Sequence, residues 1–275
     1  MMNAEPETTD QLTKGDVMEF SSDKILEKYV RLREQVVDPY VPDFDTADDE
    51  IRYIRFNDHW RGLNPYSKFL LPRLTDSKNT YPKVPSKKIA KNANPDNYVT
   101  LNYDRDGRLR MARLGRYQDS VHAVVYVSKQ LSIEYTLYDD PDHEPPYIMT
   151  DFEWYEYDDL GRIVSAQSFR CAGSPSDDVV INCEYYEYDG DMLSHAWEFK
   201  DFNRYPMQMT VSFVLRAMPD RIYNPDRIEY SFSRNDDGLS YIRNHYYRKS
   251  QTITHEEQIS EKTLQHLAEN GFRLV

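Results

Sequence analysis

The residues of this chain best suited to chemistry are its clustered carboxylates and histidines. Asp139, Asp140, Asp142, His143 and Glu144 crowd one loop, and oxygen donors beside an imidazole can hold a divalent cation. Pro141, Pro145 and Pro146 stiffen that loop, however, and it has no Gly for the sharp turn of a calcium loop, so an exposed acidic turn accounts for it. Asp43, Asp45, Asp48, Asp49 and Glu50 form a second cluster, read as the negative start of a helix. His122, His195 and His245 fall in strand-like runs, without an HExxH or nucleophile-elbow context. Cys171 and Cys183 sit near the ends of neighbouring strand-like runs, where a disulfide or two free thiols are both open. Glu156 and Glu187 occupy equivalent places in two hairpins and are expected to pair with Arg or Lys rather than to act as acid and base. No catalytic residue, metal or cofactor is expected from these sets.

Stepping to the elements that carry these residues, one signature recurs. It reads Leu101-Asn102-Tyr103-Asp104-Arg105-Asp106-Gly107-Arg108-Leu109, then Tyr155-Glu156-Tyr157-Asp158-Asp159-Leu160-Gly161-Arg162-Ile163. A shorter copy follows at residues 186–193 and a looser one at 230–239. Asp can bond its own backbone two residues on, Gly supplies a positive φ, and Tyr suits a pleated surface, so each copy predicts a hairpin. Of the 23 tyrosines, 18 lie between Tyr98 and Tyr247, which makes them a property of the sheet. Tyr155, Tyr157, Tyr186 and Tyr188 can line one face, with Trp154 on the other. If that face is uncovered, tyrosine among carboxylates suits a protein partner, and these four with Asp139, Asp140 and Asp142 are the candidate partner-binding residues.

The pattern Tyr-x-Tyr-Asp-x-x-Gly-Arg-[Leu/Ile] resembles the YD repeats of Rhs-type bacterial proteins. That resemblance implies large antiparallel sheets curling around a space, a bacterial setting, and the toxin-delivery neighbourhood of such proteins. A small acidic protein there is expected to be an immunity protein that neutralises a toxin.

The period of the apolar residues places the remaining elements. Residues 1–20 are patternless and expected to fray. Ser22 caps a helix with Ile25, Leu26, Tyr29, Leu32 and Val36 on one stripe, ended near Pro39. A second helix is expected from Ala47 to about Trp60, and a short one from Asn64-Pro65 through Leu70. A basic, proline-broken connector with Lys83, Lys87, Lys88 and Lys91 then leads to Pro95, and its charge suits docking on the acidic remainder of the chain.

From Asn97 the period becomes 2. Residues 121–138 read as one long bulged strand or as a hairpin tipped by Ser128-Lys129-Gln130, and the lack of Gly or Asn there favours the former. Further strands are expected at about 147–158, 162–171, 178–188, 192–201, 207–216, 226–234, 239–249 and 251–258. A final helix spans about 261–269, capped by Ser260, with Leu264 and Leu267 inward and Gly271 as its stop.

The expected fold is therefore α+β, mainly antiparallel β: a long meander (residues 96–259) with N-terminal helices in 21–95 and a C-terminal helix in 260–275. Lys plus Arg number 34 against 47 Asp plus Glu, a net charge of −13 that disfavours nucleic acid and anionic membrane and suits a basic protein partner. No run approaches the roughly 20 apolar residues of a span, and no secretory start is visible, so a cytoplasmic protein is expected. The favoured function is a non-catalytic, immunity-like inhibitor. A cavity-using hydrolase or small-molecule binder and a structural YD-repeat shell component are the alternatives.

Overall fold

In the computed structural model, the described residues are 21–37, 49–55, 68–71, 74, 85–114, 120–139, 147–171, 179–201, 227–235, 238–246 and 252–269. They form one 12-stranded antiparallel sheet whose strand order is the chain order. Its strands are β1 (Glu50–Arg55), β2 (Tyr98–Tyr103), β3 (Leu109–Leu114), β4 (Ser120–Tyr126), β5 (Leu131–Asp139), β6 (Tyr147–Tyr157), β7 (Ile163–Cys171), β8 (Val179–Asp189), β9 (Met192–Asp201), β10 (Arg227–Asn235), β11 (Gly238–Tyr246) and β12 (Thr252–Gln258). The meander is the one that alternation and turn chemistry imply. In such a meander the β2–β3, β4–β5, β6–β7, β8–β9 and β10–β11 turns all lie at one end.

Two covers close the middle of the sheet. Helix α1 (Ser22–Leu32) lays Ile25, Tyr29 and Leu32 on one face, against Phe152, Trp154, Phe169 and Cys183. The Tyr29 ring stacks on Phe169 at 4.0 Å and meets Phe152 edge-on at 5.1 Å. Its cap is Ser21 rather than Ser22, since the Ser21 hydroxyl accepts the Lys24 N–H. On the opposite face Phe69, Leu70, Leu71 and Leu74, all nearly water-free, pack on Tyr155, Ala166, Tyr186, Leu193 and Ala196. This second cover is called the strap below. Helix α2 (Glu261–Glu269) is capped by Ser260, which accepts the Thr263 N–H at 3.2 Å, and Leu264 packs toward the strap side.

Several expectations are corrected. The segment expected as a helix from Ala47 to Trp60 holds β1. Its register sets Arg52 opposite Leu101 and Ile54 opposite Val99, so the apolar spacing that fits a helix is period-2 pairing instead. Of the short helix expected from Asn64-Pro65 through Leu70, the described part, residues 68–70, is irregular, helical backbone starts at Leu71 with Leu74 N–H donating to Leu70 C=O, and residues 64–67 lie outside the described residues. Among the described residues, α1, continued by a π-helical turn over Arg33–Val37, is thus the N-terminal helix longer than a single turn. Residues 121–138 are the hairpin β4–β5, not one strand. Its tip, which has no Gly, is closed by the Ser128 hydroxyl accepting the Gln130 N–H and by Val127 and Ser128 both donating to Leu131 C=O. Cys183 is a buried free thiol; the ladder pairs it with Gln167 and pairs Cys171 with Val179. Four residues along a strand is roughly 13 Å, too far for a disulfide. The connector does dock on acid: Lys87 meets Glu50 at 2.8 Å, and Ser86 exchanges backbone bonds with Tyr53 on the free edge of β1. The strand expected at 207–216 lies outside the described residues.

Candidate functional site

The signature turns come first, because they fix the site's frame. In both full copies the Asp C=O accepts from the Gly N–H, and the Asp carboxylate accepts the N–H groups two and four residues on. Asp104 takes Asp106 and Arg108 at 2.9 and 2.8 Å, and Asp158 takes Leu160 and Arg162 at 3.0 and 2.9 Å. Gly107 and Gly161 have φ of 75° and 76°, the left-handed conformation that Gly adopts without a Cβ clash. A register shift precedes the last Tyr of each incoming strand, at Asn102/Tyr103, Glu156/Tyr157 and Glu187/Tyr188.

The signature Arg reaches forward to the next hairpin. Arg108 lies over the Tyr126 ring at 5.5 Å, and Arg162 over Tyr188 at 4.4 Å. Arg162 also pairs with Asp158 at 2.7 Å and donates to Gly190 C=O. On β1, Arg52 covers Tyr103 at 4.7 Å in the same way. The β4–β5 turn has no Arg, and its successor Tyr157 receives Lys68 of the strap instead. The Lys68 Nζ lies 5.6 Å from the Tyr157 ring, 5.1 Å from Tyr155 and 5.6 Å from Tyr126, and donates to the Tyr157 hydroxyl at 2.8 Å.

Beneath that tyrosine cage lies a buried carboxylate. Glu134, 1% exposed, has one oxygen 3.3 Å from Lys68 Nζ and the other 3.2 Å from His122 Nε2, while His122 Nδ1 meets the Thr136 hydroxyl at 3.3 Å. Burial alone pushes the Glu134 carboxyl up, but the Lys68 ammonium and the His122 bond outweigh it and hold the group below its ordinary value. Burial likewise works against the Lys68 charge, and Glu134 with the Tyr157 and Tyr126 rings overcomes it, so the lysine is held above its usual value.

Glu184 anchors the other end of the strap. One of its oxygens accepts Leu70 N–H at 2.9 Å and Leu71 N–H at 3.0 Å, together with the Tyr186 hydroxyl. The Tyr155 hydroxyl accepts Lys68 N–H at 3.2 Å and donates to Glu153. Burial, then the adjacent carboxylates, raise the phenols of Tyr155 and Tyr186 well above their ordinary value. Glu134 faces Glu153 across β5–β6, and Glu184 faces Glu198 across β8–β9, so the strap covers two like-charge register pairs.

The candidate partner-binding tyrosines do share one face, but the strap covers it. Tyr155 and Tyr186 are core residues, and Tyr157 and Tyr188 are half-buried, the latter donating to Ile163 C=O at 3.1 Å. Tyr155 and Tyr186 are thus core rather than an open surface, which corrects their assignment, whereas Tyr157 and Tyr188 keep part of their surface exposed. Asp139 ends β5, whereas Asp140 and Asp142 lie outside the described residues.

Glu156 does pair with a lysine, but with Lys28 of α1 at 2.6 Å rather than across the strands, and Glu187 lies 3.9 Å from its cross-strand partner His195 instead of an Arg or Lys. Burial pushes the Cys183 thiol far up, which removes it as a nucleophile. Among the described residues no group of three or more His, Cys, Asp or Glu could hold a metal ion, and no helix is long and apolar enough to cross a membrane. Sequence reasoning missed Lys68, Glu134 and Glu184; the one local sign of the two glutamates is a charge at an inward position of an alternating strand. Set against protein-family models, curated proteins and solved structures, the chain matches none.

Proposed function

We propose that this protein is a non-catalytic, immunity-like inhibitor that acts in the bacterial cytoplasm by masking a basic protein. One observation carries the reading: among the described residues, the buried cluster with catalytic capacity, Lys68, His122, Glu134 and Glu184, bonds within itself, to the backbone and to the strap, so its chemistry holds the fold. What remains for a partner is surface, on a chain with net charge −13. Such a charge speeds capture of a basic target, and occlusion of that target needs no reacting group.

The test is affinity capture from the native host, with the adjacent encoded protein as the first suspect. Support is a single basic protein whose toxicity on expression is relieved by co-expressing this chain, with association slowing as salt rises. Association indifferent to salt, or turnover of a small molecule by the purified protein, overturns the reading.

A further inference from the structure

We infer that the partner docks on the tight-turn end of the sheet, centred on Leu160, an inference that rests on the protein-binding reading above. The middle of each face is already occupied, by α1 and by the strap. Among the described residues, the tight-turn end carries Leu160, 66% exposed, and Val127, 44% exposed, on neighbouring turns, with Tyr126, 37% exposed and partly under Arg108, at the end of β4. Exposed apolar groups scattered singly are ordinary, but these sit on adjoining turns that the Gln130–Asp159 contact ties together.

The patch is held rigid. Arg162 binds the β8–β9 turn through Gly190 C=O, Gln130 reaches Asp159 at 3.5 Å, and Tyr157 N–H donates to Gln130 C=O at 2.9 Å. A surface ordered before contact loses little entropy on binding.

Charge selects the occupant. Exposed Asp159, Asp189 and Asp191 flank Leu160 on the β6–β7 and β8–β9 turns, while on the turns before them exposed Asp106 is outnumbered by Arg105, Arg108 and Lys129. The acid therefore gathers about the most exposed apolar side chain. That half fits a basic protein that seats an apolar contact within a ring of Lys or Arg.

The full chain carrying benzoylphenylalanine in place of Leu160 or Val127, or of the control positions Val30 on α1 and Ile242 on β11, is expressed in the native host and irradiated. All four positions are exposed, and unchanged urea midpoints verify folding. The expected result is an adduct with one basic protein at 160 and 127, about tenfold stronger than at 30 and 242, and weakened about tenfold at 160 by D189K with D191K. Adducts concentrated at 30 or 242 overturn the docking site and leave the inhibitor reading standing. An adduct between two copies of this chain overturns the proposed occupant. No adduct at any position, with no basic protein in affinity capture, overturns both.

Discussion

Replacing Lys68 by Met keeps most of the stem against Tyr155 and removes the ammonium from Glu134. The carboxylate, 1% exposed, then keeps His122 as its neighbour but loses the charge 3.3 Å away. Breaking a buried pair from one side costs about 3–5 kcal/mol. A second route caps the cost, because Glu134 can take up a proton. From an ordinary value of 4.5 to pH 7 is 2.5 units, or about 3.4 kcal/mol. With the Lys68 side chain itself 25% exposed, the expected loss is about 3 kcal/mol at pH 7, or roughly 6–10 °C in thermal midpoint.

The sign of the pH dependence is diagnostic. In the wild type, the lowered Glu134 value contributes stability above about pH 4.5 that is lost as pH falls. In K68M burial is no longer opposed by the ammonium, Glu134 rises above its unfolded value, and its contribution is instead lost as pH rises. The deficit of K68M should therefore shrink between pH 7 and pH 5. Urea unfolding followed by tryptophan fluorescence measures it, and adding E134Q to K68M should recover most of the loss. A deficit below about 1 kcal/mol, or one that does not shrink on acidification, refutes the assignment of Lys68 as the compensating charge.

Gly161→Val should cost about 1 kcal/mol or more in urea unfolding, because a β-branched residue is strained at φ 76° although nothing lies within 4 Å of its Cβ; an unchanged midpoint would contradict the turn geometry. Arg162→Ala removes the Asp158 pair, the cover on Tyr188 and the tie to Gly190, and should cost about 1–2 kcal/mol; a double-mutant cycle with Tyr188→Leu should show coupling. Tyr188 is pushed up to about 12 chiefly by burial, and Tyr155 and Tyr186 are raised as well. Their stabilisation is full below about pH 10 and lost above it, so phenolate absorbance should appear together with unfolding rather than before it. A chelator should leave the thermal midpoint unchanged, and a large drop would point to a bound metal.

What the sequence makes legible is what is local. Asp158, Gly161 and Arg162 act within five residues, so their turn can be read directly, as can the alternation of β6 to β9. Glu50 to Arg55 is too short for period 2 and period 3.6 to separate, and only pairing with β2 decides between them. The β4–β5 turn is obscure because a Ser hydroxyl accepts there the N–H that an Asp carboxylate accepts in the signature turns. The strap was invisible for a different reason. Its contacts join residues 114 positions apart, as between Leu70 and Glu184, and no local pattern encodes which face an irregular segment will cross. The tyrosines were placed on the right face, yet their exposure depends on that cover.

The order of the chain has a consequence for synthesis. Each strand pairs with its sequence neighbours, so hairpins can form as they leave the ribosome. The covers cannot. Lys28 of α1 waits 128 residues for Glu156, and Leu70 waits 114 for Glu184. At 5–20 residues per second the strap therefore spends roughly 6–23 s with Phe69, Leu70 and Leu71 unburied on the nascent chain. A growing sheet with its first-made covers still undocked is a substrate for chaperones that bind apolar segments, and yield on expression should follow translation speed across residues 70–184.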